Sequence, residues 1–357
     1  MSFLERFPAI CCLCLGFGVA CADSNGATTD GATTDEATTS PTTETTAGPE
    51  TATSPTASPT TDEATTEATT QDATQTDSSS DSEASSDTDS DTDTTGEELV
   101  CNGHSELCSR PYNEVVFPCT HNAHSATSEG YTLNANHRKG VPEQLEAGIR
   151  AMMLDVYLED DVTTLCHGPC GLGSQPHIEV VEALHDFLVA NPGEIITIIY
   201  QDDVPPSAIE ADFVATGLVD YVYTHTSGDP WPTLGEMVEA DTRLVITAES
   251  GSPPPDWYHH AWDLIWDTPY SHKSVDDFSC ELNRGSLSND LFLINHWVNN
   301  ILDLPSEPDA MIVNAYDVLH DRATQCLGET GRLPNFIGID FYQQGDLIAV
   351  VDDLNGV

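Results

Sequence analysis

The sequence predicts an α/β fold, an irregular TIM-type β/α barrel preceded by a disordered linker. Three observations predict it. The composition changes abruptly near residue 99. Beyond that point, apolar runs of strand length alternate with helix-like segments, the pattern of a parallel sheet covered on its faces. Polar residues able to do chemistry sit at the C-terminal end of nearly every apolar run, as on the rim of a β/α barrel.

The chain has 357 residues, with 60 Asp and Glu against 10 Lys and Arg, a formal net charge of −50. Such a surface cannot neutralise nucleic-acid phosphates, which needs clustered bases, so nucleic acid is excluded as a partner. Residues 22–98 contain no Lys, Arg, His or aromatic residue. Their Thr, Ser, Ala, Asp and Glu cannot bury enough apolar surface to offset ordering entropy, so they are read as a disordered linker. Nineteen acids belong to it, which leaves residues 99–357 with 40 acids, 9 bases and all 13 His. That segment is long enough for one large domain with a substantial core, expected to act as a monomer.

Residues 1–21 read as an export signal, because the apolar run over residues 7–20 is too short for a membrane span. Gly18-Val19-Ala20-Cys21 has the form of a bacterial lipobox, with Gly18 where Leu is usual. A lipidated Cys21 would tether the domain to the cell surface or outer membrane through the linker. Ala20-Cys21-Ala22 equally suits ordinary signal peptidase cleavage and free secretion. Export implies an oxidising compartment. Spacing then suggests the pairs Cys101–Cys108, Cys166–Cys170 and Cys280–Cys326, with Cys119 left over.

Within the domain, residues 115–119 form a short buried strand that ends in Thr120-His121-Asn122. Residues 142–149 fit a helix, 151–157 the next strand, and 178–190 a helix with apolar residues at helical spacing. Residues 195–200 are β-branched and strand-like, and 206–222 helical. Residues 244–247, 291–295 and 336–341 complete about six strands, so fewer than eight strand–helix units are expected. The strand-end polar residues are His121 and Asn122, then Asp155, then Gln201-Asp202-Asp203, then Glu249, His296 and Asp340. No G-x-G-x-x-G or P-loop is present, so nothing supports nucleotide binding.

Four of these segments resemble a known family. Val116-Phe117-Pro118-Cys119-Thr120-His121-Asn122 resembles the first strand of phosphatidylinositol-specific phospholipase C (PI-PLC) X domains. Gly148-Ile149-Arg150-Ala151-Met152-Met153-Leu154-Asp155-Val156-Tyr157 resembles the second. Leu165-Cys166-His167 supplies a second histidine, and Phe336-Ile337-Gly338-Ile339-Asp340-Phe341-Tyr342 looks like the last strand. The likeness is to secreted X-domain-containing proteins of plants, fungi and bacteria, and so to PLC-like phosphodiesterases. It implies a phosphoric diester hydrolase or lyase acting on an inositol phospholipid through a cyclic inositol phosphate. His121 is then the general base, His167 the general acid and Asp340 the carboxylate that orients the base. Asn122, Asp155 and Tyr157 fall on the phosphate side. Calcium is expected on Asn122, Asp155 and Asp202, since hard oxygen ligands suit it.

Departures from the family pattern leave alternatives open. Tyr157 stands where metal-independent bacterial enzymes carry Arg, Met153 where animal enzymes carry Glu, and Gln201 where an acidic ligand is expected. The alternatives are a phosphodiesterase for another glycerophosphodiester and a catalytically impaired binding barrel. The net charge of the domain argues for a cation in the site if the substrate is anionic. His124 reads as a neighbour of the base, His259-His260 as surface, and His296-Trp297 as either cleft lining or packing.

Overall fold

The computed structural model describes residues 99–357; the expected export signal and linker lie outside the described residues. The strands are β1 (Phe117–Thr120), β2 (Ala151–Glu159), β3 (Val162–Cys166), β4 (Ser174–Pro176), β5 (Ile196–Asp202), β6 (Leu244–Ala248), β7 (His259–His260), β8 (Ile265–Asp267), β9 (Leu291–Asn295) and β10 (Phe336–Ile339). The helices are α1 (Val141–Glu146), α2 (His177–Ala190), α3 (Pro206–Thr216), α4 (Leu234–Glu239), α5 (Ala261–Leu264), α6 (Glu307–Val313), α7 (Tyr316–Thr330) and α8 (Leu347–Asn355).

Eight strands form one curled parallel sheet in the order β7-β6-β5-β2-β1-β10-β9-β8. The path begins and ends at two short strands that are consecutive in sequence, linked by the single-turn α5. The hairpin β3–β4 projects antiparallel from the upper half of β2.

Side chains alternate between faces along a strand, and here the two sets fall into two separate cores. Phe117, Ala151, Met153, Ile199, Val245, Ile265, Leu291, Leu293 and Phe336 pack together inside the curl. Their sequence neighbours Met152, Leu154, Ile198, Ile246, Trp266, Phe292 and Ile337 pack outward under the helices, against Leu184, Phe213, Leu319 and Val350. Burial on both faces explains why these strands read as unbroken apolar runs rather than alternating ones.

Boundaries differ from the sequence expectation in instructive places. The helix expected over residues 206–222 stops at Thr216, because Gly217 turns left-handed at φ 84° and a 3₁₀ turn follows. Strands β7 and β8 were not expected; they are two and three residues long and carry no periodic signal. With them the sheet reaches eight parallel strands, although β6 to β7 and β8 to β9 lack an α-helix. His259 is therefore not a surface residue: it is buried in β7, and its Nε2 accepts from the backbone N–H of His225. The disulfides are Cys101–Cys108, Cys166–Cys170 and Cys280–Cys326, and Cys119 is free and buried, as the spacing suggests.

Candidate active site

The inward column of each strand continues past the apolar core and ends in a polar group. Two residues above Cys119 is His121, above Met153 is Asp155, and above Ile199 is Gln201. Glu249, Asp267, Trp297 and Asp340 end the inward columns of β6, β8, β9 and β10. His121, Asn122, Asp155, Gln201, Glu249, Tyr270, Arg284 and Trp297 surround an open cleft of about 470 Å³ at this rim.

Two strand ends are bent to aim their side chains. Asn122 and Phe341, which follow His121 and Asp340, have φ of 48° and 49°. Non-glycine residues rarely adopt this left-handed conformation, and they concentrate at functional sites. Below the first turn, the buried Gln144 of α1 accepts from Thr120 Oγ1 at 2.7 Å and donates to Ala123 O at 2.7 Å. The helix thus pins both sides of the bend.

His121 Nδ1 meets Asp340 Oδ1 at 2.9 Å. The indole of Trp297 stacks on the same imidazole, centroids 3.8 Å apart and planes 7° apart. The inward position between Phe336 and Asp340 is Gly338, where a Cβ would lie 3.5 Å from Trp297. His167 Nδ1 lies 2.7 Å from Asn134 O, and the Asn134 amide donates back to His167 O. His167 sits in the short loop closed by Cys166–Cys170. Both histidines therefore have Nδ1 held, which leaves Nε2 as the exchangeable nitrogen of each.

These Nε2 atoms converge. With the Asn122 amide oriented to satisfy its neighbours, its nitrogen donates to both Asp155 oxygens at 3.0 and 3.2 Å. Its oxygen then lies 3.1 Å from His121 Nε2 and 3.2 Å from His167 Nε2. Burial and the nearby His121 push the His167 imidazole below its ordinary range. The proximity of the two rings disfavours a second positive charge on His167. Burial also raises the Asp155 carboxyl, to about 7.

Sequence reasoning missed three contributors. Asn136 Nδ2 donates to Asp340 Oδ1 at 2.8 Å, and Asn136 O accepts from Phe341 N at 2.8 Å. Asn134 and Asn136 thus position both histidine systems from a single loop, with an N-x-N spacing as the only sequence trace. Arg284 is the third. It comes from the irregular stretch between β8 and β9, four residues after the disulfide-bonded Cys280, where no motif announces it. Its Nη1 donates to Glu249 Oε2 at 2.8 Å, and its Nε and Nη2 donate to Asp267 Oδ2 at 3.0 and 2.6 Å.

Two expected site residues lie elsewhere. Asp202 belongs to the outward column of β5, above Tyr200. Its carboxylate accepts from Ser250 N and Gly251 N at 2.9 Å and from Tyr258 Oη at 3.0 Å. The alternation that turns Gln201 inward turns Asp202 outward, so Asn122, Asp155 and Asp202 do not converge on one cation. No group of three or more His, Cys, Asp or Glu among the described residues is arranged to hold a metal ion. With Asp202 turned outward, the expected calcium set of Asn122, Asp155 and Asp202 is not brought together. Tyr157 lies beyond Asp155 and takes a hydrogen bond from Gln201 Nε2 at 3.2 Å, outside the cleft lining. His124 and His296 are fully buried, whereas Trp297 lines the cleft.

The sequence model of the PI-PLC X family, described as PI-PLC X 1, matches residues 107–355. A PI-PLC X domain-containing protein 1 of Arthroderma benhamiae is 28% identical over 283 residues, 74% of this chain and 92% of the relative. A PI-PLC X domain-containing protein of Arabidopsis thaliana is 29% identical, over 69% of this chain and 63% of the relative. An uncharacterized secreted protein of A. benhamiae is 26% identical, over 72% of this chain and 64% of the relative. Among solved structures, a double mutant of the Staphylococcus aureus phosphatidylinositol-specific phospholipase C aligns with TM-score 0.50 at 10% identity. It covers 70% of this chain and 95% of that one. At that identity the likeness speaks for the barrel fold alone, and the family rests on the sequence match. With that match spanning most of the described domain, the chain belongs to the PI-PLC X family.

Proposed function

We propose that the domain is a phosphodiesterase of the PI-PLC type that cleaves an inositol phospholipid. The observation that carries this reading is the convergence of His121 Nε2 and His167 Nε2 on one amide oxygen, at 3.1 and 3.2 Å, each with its Nδ1 held. Two exchangeable nitrogens that share one amide oxygen can take a proton and give one across a single reacting centre. His121 takes the proton of the headgroup hydroxyl next to the phosphate. That oxygen attacks phosphorus and closes a cyclic phosphodiester. The bond to the diacylglycerol oxygen breaks, and His167 supplies its proton. Asp340 holds the His121 tautomer and stabilises the imidazolium formed. No step is routed through a metal.

A lipid interface is favoured over a dissolved substrate by the same rim. The loop after Trp297 carries Ile301 and Leu302, 95% and 72% exposed. Leu133, 69% exposed, adjoins Asn134, which clasps His167. Exposed apolar side chains on the loops that carry Trp297 and Asn134 suit insertion among lipid chains. The secreted relative and the three disulfides support export of the domain.

The test compares two lipids. The full chain is incubated with mixed micelles of phosphatidylinositol or of phosphatidylcholine, and diacylglycerol release is measured. Choline has no hydroxyl beside its phosphate, so the proposal expects release from phosphatidylinositol alone. Equal release from both would replace this mechanism with direct attack by water, and release from neither would refute the reading.

A further inference from the structure

The cleft poses an electrostatic problem. Its wall carries the carboxyls of Asp155 and Glu249, with Asp267 and Asp340 buried immediately behind. A phosphodiester entering it brings another negative charge into a partly desolvated space, which is costly without a cation. Position 157, the expected calcium ligands and positions 153 and 201 supply none, since they hold Tyr157, a divided ligand set, Met153 and Gln201.

Among the described residues that line the cleft, Arg284 is the only Lys or Arg. Arg322 is buried behind β9 and donates to Asn295 O, Arg150 pairs with Glu194, Arg138 pairs with Glu307, and Lys273 pairs with Asp303.

We propose that Arg284 is the resident cation of this site and that it binds the non-bridging oxygens of the substrate's phosphate. The assignment builds on the phosphodiesterase reading above and adds which group receives the phosphate. A guanidinium carries five N–H donors. Three are engaged by Asp267 and Glu249. One N–H on Nη1 and one on Nη2 remain, on a side chain that keeps 25% of its surface exposed in the cleft. Donors on both terminal nitrogens of one planar group can meet two oxygens of a phosphate.

The same contacts fix the group in place. The guanidinium carbon lies 4.0 Å from the ring centre of Trp262 and 4.8 Å from that of Tyr270. Asp267 is fully buried and also accepts from Arg284 N at 2.8 Å and Asn295 Nδ2 at 3.0 Å. Asp267 and Glu249 hold the guanidinium while leaving one N–H on each terminal nitrogen unpaired, so these donors stand ready before the substrate arrives.

The test uses the full chain in EDTA. Binding of myo-inositol 1-phosphate is measured calorimetrically, with uncharged myo-inositol as the control ligand. Arg284→Gln leaves Asp267 buried without its counter-charge, so Arg284→Gln/Asp267→Asn is prepared beside it, and circular dichroism checks the fold. The proposal expects the double variant to bind the phosphate ester about 10- to 100-fold more weakly. It expects myo-inositol binding unchanged and Arg284→Lys to recover only part of the loss, because an ammonium lacks the fork. Unchanged phosphate-ester affinity in the folded double variant would overturn it, and so would binding by the unmodified chain that needs added Ca²⁺. Parallel loss of both ligands would assign Arg284 a purely structural role and overturn it as well. The two readings fail separately. Phosphate-ester binding that depends on Arg284, without turnover of any lipid, sinks only the enzyme. Turnover with KM unchanged in the double variant sinks only Arg284.

Discussion

Two aspartates at neighbouring strand ends, Asp155 on β2 and Asp202 on β5, were equally plausible as site residues from their place in the chain. Their fates differ because of one residue of alternation. Asp155 stands in the column that faces the inside of the curl, below Asn122 and in the cleft lining. Asp202 stands in the outward column and ties the backbone after β6 to the edge of the helix layer. Distance from a strand end does not define a site in a β/α barrel; parity does. The groups that reach the cleft straight from a strand column share the parity of the inner apolar core; Asn122 reaches it only through the left-handed bend after His121, and Asp202, with no such bend, is structural.

The sharpest way to break this comparison is to remove a group from each column. His121→Ala deletes the inward base and should lower turnover of phosphatidylinositol about 10²- to 10⁴-fold, far more than any accompanying loss of stability explains. Initial rates and thermal melts on one preparation check both halves. Asp202→Ala should do the reverse. It strips two backbone N–H groups and the Tyr258 hydroxyl of their acceptor, and the cost is about 2–3 kcal/mol. For a domain of this size that is a fall of roughly 5–10 °C in melting temperature, while kcat at 20 °C stays within about twofold. Loss of activity in folded Asp202→Ala would return this residue to the site.

A smaller effect concerns the rim. Ile301→Asp with Leu302→Asp should reduce hydrolysis of vesicle-bound phosphatidylinositol about tenfold by raising the apparent KM. Hydrolysis of a short-chain monomeric analogue should stay the same. Equal loss on both substrates would show that the loop shapes the cleft rather than meeting lipid.

The smallest expected effect is a displacement of the pH profile. Burial, then the neighbouring His121, holds His167 below the usual imidazole range. A general acid works only when protonated, so turnover should fall as pH rises through this lowered pKa, below about 6.5. Asn122→Asp places a carboxylate where an amide oxygen now lies 3.2 Å from His167 Nε2. It should favour the imidazolium and move the alkaline limb upward by roughly one pH unit. A rate profile between pH 4 and 9 reads both.

Much of the inner architecture was legible in sequence because strands buried on both faces leave long apolar runs. The disulfide pairs were legible from spacing, and the grouping of His121, His167 and Asp340 was expected from their resemblance to PI-PLC X motifs. Three things were not. Strands β7 and β8 are too short for any period to develop. The inward or outward sense of Asp202 depends on register, which a run of acceptable strand residues does not fix. Arg284 reaches the cleft from an irregular connection, so its position is decided by Asp267 and the Cys280–Cys326 bridge rather than by its neighbours in sequence.

The central claim is that two convergent imidazoles transfer a phosphoryl group within the substrate. Phosphorus NMR of phosphatidylinositol micelles treated with the full chain in EDTA tests it most directly. The account predicts the resonance of a five-membered cyclic inositol phosphate as the first product, absent when His121→Ala or His167→Ala is used. A linear inositol phosphate with no cyclic precursor, or a phosphorus spectrum that never changes, would contradict it.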